Sequence, residues 1–155
     1  MKKEQLKRIF DFLEENENCN PPLLWKLRHD IPLREEELYI KGNLDLTHTN
    51  IKSLPKGLKV GGHLLLMGSK ITSLPEGLEI VGAAWFYNSE IESLPKGLKV
   101  GSTLDLRRTN ITSLPKGLEV GDFLNIRGTQ LQKYSDAELR EMIKPGVIGG
   151  QIWRN

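Results

Sequence analysis

Residues that could support acid-base or metal chemistry are few in this sequence and lie far apart. Asp45 and Asp105 hold equivalent places in a repeated pattern. Three strand spacings of a sheet would separate them by about 14 Å, beyond the roughly 5 to 9.5 Å between paired glycosidase carboxylates. The three histidines belong to no HExxH motif, and the single cysteine, Cys19, has no CxxC partner. We therefore expect no catalysis, no metal site and no cofactor.

Aromatic, apolar and arginine side chains form a second group, and a spacing of 20 residues aligns them in rows. Residues that alternate with the leucines of the pattern should point outward from predicted strands. In the second and third copies these positions hold Leu65, Met67, Trp85 and Tyr87 instead of polar residues. An apolar patch of roughly 500 Å² marks an interaction site, and Trp, Tyr and Arg are enriched at binding hot spots. The predicted binding face comprises His63, Leu65, Met67, Trp85, Tyr87, Asp105, Arg107, Phe123 and Arg127.

The arginines of this face allow a second interpretation. Arg107, Arg108 and Arg127 can bind phosphate, and therefore nucleic acid. The net charge of +2 is small, however, and glutamates interrupt the recurring lysines of the repeats. Phosphate or nucleic-acid binding thus remains the alternative to protein binding. Self-association through the aromatics, or a segment that covers them, are two further alternatives.

A 20-residue unit, written four times between residues 41 and 120, would position these side chains. The unit reads xxxLxLxxTxIxSLPxGLxV, and a looser fifth copy begins at Gly121. The LxL triplet alternates as a strand does, whereas Pro and Gly in SLPxGL exclude a regular helix or a central strand. A fixed period of this length indicates a solenoid. We predict one strand, one turn and an irregular return path per coil, with all strands in one parallel sheet.

Two kinds of small residue recur at fixed places in the unit. A hydroxyl is present in every copy, and we predict that it bonds the backbone of the neighbouring coil; these residues are Thr49, Ser69, Ser89, Thr109 and Thr129. A glycine follows each proline by two residues, where a turn with positive φ is expected; these are Gly57, Gly77, Gly97 and Gly117.

Both ends of the chain depart from the repeat. Residues 1–37 are predicted to form a helical N-terminal cap, with an amphipathic helix over residues 3–16 and a second helix capped by Asn20. Apolar residues of the second helix should be buried, namely Leu23, Leu24 and Leu27.

Residues 135–155 are predicted to form a C-terminal cap after the repeats of residues 38–134, within a single domain. Ser135 and Glu138 form a capping box that predicts a helix. The segment VIGGQIWRN resembles the VGGxL motif of the repeat units and therefore predicts a sixth strand.

The repeated segment LxLxxTxIxSLPxGLxV resembles the leucine-rich repeat family, whose strand segment reads LxxLxLxxNxL. It is most similar to the short bacterial and phage type with 20-residue LPxGLxVGG repeats, although the asparagine of the family is replaced by threonine. The resemblance implies an α/β repeat fold: a leucine-rich-repeat solenoid of about five 20-residue coils with a parallel concave sheet. It also implies binding of another protein, as an inhibitor or an effector-like binder of a host or competitor protein.

Features of the sequence also bear on location. No apolar run approaches the ~18 residues of a membrane span, and charged residues stand where a signal peptide needs an apolar core. A single cysteine permits no intrachain disulfide, which suits a reducing compartment. We expect a cytoplasmic protein that does not enter a membrane; secretion without a signal peptide is also compatible with the sequence.

Overall fold

The computed structural model describes Glu4 and residues 23–154. The chain divides into two compact units, of which the first ends at Pro32 and the second begins at Leu33. In the first unit, helix α1 covers Leu23–Arg28.

Helix α1 lies where the second helix was predicted, but the buried side chains of this helix differ from the prediction. Leu27 is buried, whereas Leu24 is 46% exposed, so the expected burial of Leu24 is wrong. Of the predicted helix over residues 3–16, the structure describes Glu4, which is helical; the cap at Asn20 and the thiol of Cys19 lie outside the described residues.

The second unit is a parallel β-solenoid, and its described strands are all two residues long. They are β1 Tyr39–Ile40, β2 Leu44–Asp45, β3 Lys59–Val60, β4 Leu64–Leu65, β5 Glu79–Ile80, β6 Ala84–Trp85, β7 Lys99–Val100, β8 Leu104–Asp105, β9 Glu119–Val120, β10 Leu124–Asn125, β11 Val147–Ile148 and β12 Ile152–Trp153. Two 3₁₀ helices, η1 and η2, cover Glu35–Glu37 and Gln130–Lys133, and helix α2 covers Asp136–Met142.

The strands form two parallel sheets, because each coil contributes one strand to each. The first sheet has the order β1-β3-β5-β7-β9-β11, and the second has the order β12-β10-β8-β6-β4-β2. The prediction of one sheet with an irregular return path is therefore wrong. The extra strand follows the glycine turn of SLPxGL and is too short to produce an alternating sequence pattern.

The register of the second sheet shows that one coil equals one period of the sequence. Leu44 pairs with Leu64, and further steps of the same size lead through Ala84 and Leu104 to Leu124. The next pair, Leu124 with Ile152, is further apart in the sequence because η2 and α2 lie between the two strands. The solenoid thus has about four turns of one period each and a longer final one, instead of about five equal coils.

The core is a column of apolar side chains that each coil supplies from the same places. In the second copy they are Leu64, Leu66, Ile71, Leu74, Leu78 and Ile80, all buried. The third copy replaces the first two leucines by Ala84 and Phe86, and both are fully buried. The small and large side chains compensate in volume, as close packing of a core requires.

Four of the five recurring hydroxyls bond the backbone of their own coil, so the prediction of bonds to the neighbouring coil is wrong. Ser89 Oγ donates to the Phe86 carbonyl at 2.6 Å, and Thr109 and Thr129 make the same bond to Leu106 and Ile126. These hydroxyls therefore close the tight turn that follows the second-sheet strand, whereas the buried Ser69 Oγ has no partner within the described structure.

Two turn positions of the coil have positive φ. The glycines at 57, 77, 97 and 117 have φ between 67° and 78°, which confirms the predicted turn. A second left-handed position follows the LxLx segment and is occupied by His48, Gly68, Asn88, Arg108 and Gly128.

The final coil contains both features predicted for residues 135–155. Ser135 caps α2, accepting a hydrogen bond from the Glu138 amide, while Glu138 accepts one from the Ser135 amide. Strand β12 extends the second sheet beside β10, as predicted for the sixth strand. Arg140 of α2 donates to the carbonyls of Ile148 and Gly150 and so holds the helix to the last coil. Among the described residues, no helix has the length and apolarity that a membrane crossing requires.

Candidate functional site

The outward side chains of the second sheet lie in the rows that the sequence predicts. Leu65 pairs with Trp85, and the row continues through Asp105 and Asn125 to Trp153. Neighbouring strands of a sheet are about 4.8 Å apart, so successive members of a row are in reach of each other. We call this surface the aromatic face, and define it by His63, Leu65, Met67, Trp85, Tyr87, Arg107, Arg108, Phe123, Arg127 and Trp153.

His63 and Trp85 form the first aromatic pair of this face. Their rings stack with centroids 5.3 Å apart and planes 19° from parallel. The imidazole is fixed because its Nδ1 accepts a hydrogen bond from the Ala83 amide at 2.9 Å. Asn43 Oδ1 accepts a hydrogen bond from the His63 amide in the same way, at 2.8 Å. The bond from Ala83 therefore holds the ring against which Trp85 lies, and the bond to Asn43 joins the His63 backbone to the preceding coil.

Tyr87 contacts two arginines of the next coil. The guanidinium carbon of Arg107 is 4.9 Å from the centre of the Tyr87 ring, and that of Arg108 is 5.8 Å away. Arg108 Nη1 also donates a hydrogen bond to the Tyr87 hydroxyl at 3.2 Å. Two cations thus contact one aromatic ring, an arrangement favoured by the negative potential of the ring face.

Asp105 was predicted as an outward binding residue, and the structure places it beneath Arg107. It is only 6% exposed, and its two carboxylate oxygens accept bonds of 2.6 to 2.9 Å from Nε and Nη2 of Arg107. The hydrogen bonds that Arg107 donates to Asp105 raise the pKa of Arg107, against the opposing effect of desolvation. Asp105 therefore positions the arginine, whose side chain remains 41% exposed.

The remaining outward positions differ in exposure. Leu65 and Met67 are half-buried, Arg127 is exposed, and Ala83 and Asn125 are buried. The amide of Arg127 donates to Asn125 Oδ1 at 3.3 Å, so the buried Asn125 supports the backbone beside this arginine.

Phe123 and Trp153 form a second aromatic pair. Phe123 was predicted from the sequence as a member of the binding face, whereas Trp153 was not. Their rings stack at 4.8 Å, and Trp153 is 39% exposed. A shallow cleft of about 390 Å³ lies beside Trp153 and is lined by Arg127, Ile152, Trp153 and Arg154. The signal was present, because IGGQIW aligns with VGGHLL and puts Trp153 in the place of Leu65.

The outward side chains of the first sheet have a different character. Lys59 pairs with Glu79 at 3.2 Å, and Lys99 pairs with Glu119 at 3.3 Å. These four charges compensate one another along the sheet. On the aromatic face, by comparison, Arg107 pairs with Asp105, and no ion pair joins Arg108 or Arg127 to a carboxylate among the described residues.

Metal-binding groups are not assembled within the described ranges: no cluster of three or more His, Cys, Asp or Glu side chains occurs there. His48 and His63 both lie in the second unit, in different coils.

Comparison with known proteins gives no relative: no family model, curated protein or solved structure matches this chain. The likeness to leucine-rich repeats therefore rests on the repeated sequence motif.

Proposed function

We propose that this chain is a leucine-rich repeat protein that binds another protein through the aromatic face. The observation that supports the proposal most strongly is the fixed presentation of Trp85 and Tyr87. Trp85 stacks on a hydrogen-bonded imidazole, and Tyr87 is contacted by two arginines. Ordered aromatic side chains lose little conformational entropy on binding, which is why such residues provide much of the energy of protein interfaces.

The role is binding and not catalysis. Asp105, the acid that supports this face, accepts hydrogen bonds from Arg107 through both carboxylate oxygens. Under this proposal the chain acts by covering a surface of its partner, as an inhibitor or an effector-like binder of a host or competitor protein does. A cytoplasmic location belongs to the same proposal.

A phosphate-containing ligand is the second candidate, favoured by the exposed side chain of Arg127 beside Arg108. The bidentate bond from Arg107 to Asp105 weighs against it, because it uses the Nε–Nη2 edge that would otherwise bind an anion. Steep loss of affinity with added salt, beyond that expected for two arginines, would favour this candidate.

Site-specific photo-crosslinking in the source cell tests the proposal. A photoreactive residue at Met67 lies on the aromatic face, and one at Val81, which is 67% exposed at a corner after the first sheet, is the matched control. We expect a crosslinked protein partner with the probe at Met67 and none with the probe at Val81. The reverse result would place the binding site on another surface.

A further inference from the structure

We infer that the partner presents an acidic segment to the aromatic face, with carboxylates that pair with Arg108 and Arg127 and apolar side chains that lie on Trp85 and Tyr87. This inference rests on the proposed function and specifies the chemistry of the partner. Three observations support it: an unusual backbone conformation, uncompensated charge, and the position of that charge beside the aromatics.

The backbone conformation of Arg108 is the first observation. Its φ is 53°, at a left-handed position that recurs along the solenoid and is occupied in other coils by His48, Gly68, Asn88 and Gly128. Glycine adopts this conformation without steric cost, and asparagine and histidine do so readily, whereas arginine does not. Strained residues of this kind are concentrated at functional sites. A long cation at this position is not required by the turn, since glycine makes the same turn in the next coil.

The charge balance of the arginines is the second observation. Arg107 is neutralised by Asp105, and Arg154 pairs with Asp136. In the described part of the chain, neither Arg108 nor Arg127 pairs with a carboxylate. Their backbones are adjacent, because the Arg108 amide bonds the Arg127 carbonyl at 2.9 Å. Two uncompensated positive charges are therefore carried on neighbouring coils.

The third observation is the place of these charges relative to the apolar side chains. Arg108 contacts both the ring and the hydroxyl of Tyr87. Trp85 lies two residues before Tyr87 on the same coil. A partner segment that covers Trp85 thus meets the two arginines within a few residues. Complementary charge at the border of an apolar contact promotes encounter and selects the partner.

Carboxylates fit this site better than a nucleic-acid backbone does. A nucleic acid gains affinity from many phosphate contacts, each made by a cation. Within the described structure, only two arginines of the face are uncompensated, because Asp105 and Asp136 occupy the arginines beside them. The combination of two cations with an apolar surface suits a protein segment that contains both acidic and apolar residues.

Selection from a library of random peptides tests this inference. Peptides of about 12 residues are long enough to cross the sheet, whose strands are ~4.8 Å apart. The library is panned separately on the wild-type chain, on the single variant Trp85→Ala and on two double variants. The arginine double variant carries Arg108→Gln and Arg127→Gln. The control double variant carries Lys59→Gln and Lys99→Gln, which lie on the first sheet. Thermal unfolding of each variant verifies that it is folded.

We expect peptides rich in both acidic and aromatic or aliphatic residues from the wild-type chain and from the first-sheet control. The arginine double variant should lose the acidic enrichment but keep the apolar one. Replacement of Glu by Gln in the best peptide should weaken its binding to the wild type about tenfold, as two charge pairs at a partly exposed interface imply, and should not affect binding to the arginine double variant.

Three other results would overturn the inference and differ in meaning. Trp85-dependent peptides without acidic residues would overturn it and leave the proposed function standing. Failure to enrich any Trp85-dependent peptide would overturn the inference and count against the proposed function as well. Tighter binding of an oligothymidylate of similar length, lost in the arginine double variant, would replace the acidic protein segment by a nucleic acid.

Discussion

Single side chains of the aromatic face have two kinds of role. Under the proposed function, Trp85, Tyr87 and the exposed arginines would offer surface to a partner. His63 stacks on Trp85, and Asp105 accepts hydrogen bonds from Arg107, so each restricts one neighbouring side chain. Asp105 binds the Arg107 guanidinium and restricts its motion. The side chain of Arg107 would therefore lose less conformational entropy when a partner binds. Loss of a residue that contacts the partner should change affinity alone, whereas loss of Asp105 or His63 should also lower the free energy of unfolding.

A matched pair of serines tests the hydrogen bonds of the turns. Ser89 Oγ donates to the Phe86 carbonyl, whereas the buried Ser69 Oγ has no partner within the described structure. Ser89→Ala should therefore lower the free energy of unfolding by about 1 kcal/mol, and Ser69→Ala should be neutral or slightly stabilising. Urea unfolding measures both. Equal losses would show that Ser69 also makes a hydrogen bond.

Arg108→Gly should separate stability from binding. Relief of the left-handed conformation should raise the free energy of unfolding by about 1 kcal/mol, while loss of the cation should weaken partner binding. Asn88→Gly, at the equivalent position of the preceding coil, is the control and should change stability less because asparagine tolerates this conformation. Unfolding and affinity measurements on the same samples verify the prediction. A strongly destabilised Arg108→Gly would mean that its contacts with Tyr87 serve the fold.

The sequence predicted the rows of this face but not the exposure of every member. The period of the repeat determines which residues share a row, and the pairing of Leu65 with Trp85 follows from it. The burial of Asp105 depends on the rotamer of Arg107, and no pattern of residue types specifies a rotamer. The partners of Ser89 and Thr109 were mispredicted for a similar reason, since a hydroxyl in a turn can reach its own coil as well as the next.

At the scale of elements, strands of two residues alternate with tight turns, and the turns determine the shape of each coil. A second sheet arises because the residues after each LPxG turn are extended and pair with the same residues of the next coil. Strands of two residues could not be predicted, since the alternation of apolar and polar residues that indicates a strand becomes evident only over about 4 to 8 residues. Helix α2 was predictable because Ser135 and Glu138 form a local signal that depends on no distant contact.

The capping box of α2 gives a pH-dependent prediction. Hydrogen bonds from the amide and hydroxyl of Ser135 lower the pKa of Glu138. Because the pKa is lower in the folded chain, this stabilisation is complete above the unfolded value of about 4.3 and is lost as the pH falls through the folded value.

Glu138→Gln should therefore lower the unfolding temperature at about pH 7 and have a smaller effect at about pH 3, where a larger fraction of the wild-type carboxyl is protonated. Glu141→Gln, in the last turn of the same helix, is the control without a capping role. Thermal unfolding at both pH values measures the difference. An effect of Glu138→Gln that is independent of pH would exclude the charged cap as its cause.

At the scale of the whole molecule, the second unit is a one-dimensional stack in which each coil contacts its neighbours. The sequence specified the period, the buried residues and the parallel pairing, because four near-identical copies repeat the same physical requirements. Helix α2 and the last strand were predicted as well, whereas η2, which lies between β10 and α2, was not.

Deletion of one whole coil tests the stacking. Removal of residues 81–100 joins Ile80 to Gly101 and restores the repeat, so the shortened chain should fold, with a urea m-value reduced in proportion to its length. Removal of residues 81–90 disrupts the register and should prevent cooperative folding. Circular dichroism and urea unfolding distinguish the two. Failure of the whole-coil deletion to fold would mean that long-range contacts beyond neighbouring coils hold the fold together.

The affinity of the crosslinked partner for two aromatic variants tests the central claim most directly. Trp85→Ala removes an aromatic ring from the aromatic face, and Tyr39→Ala removes one from β1 of the first sheet, where Tyr39 is 55% exposed. Calorimetric titration should give about 30-fold weaker binding for Trp85→Ala, as expected for a hot spot, and a change of at most about twofold for Tyr39→Ala. Unchanged affinity of a folded Trp85→Ala would contradict the assignment of the binding site to this face.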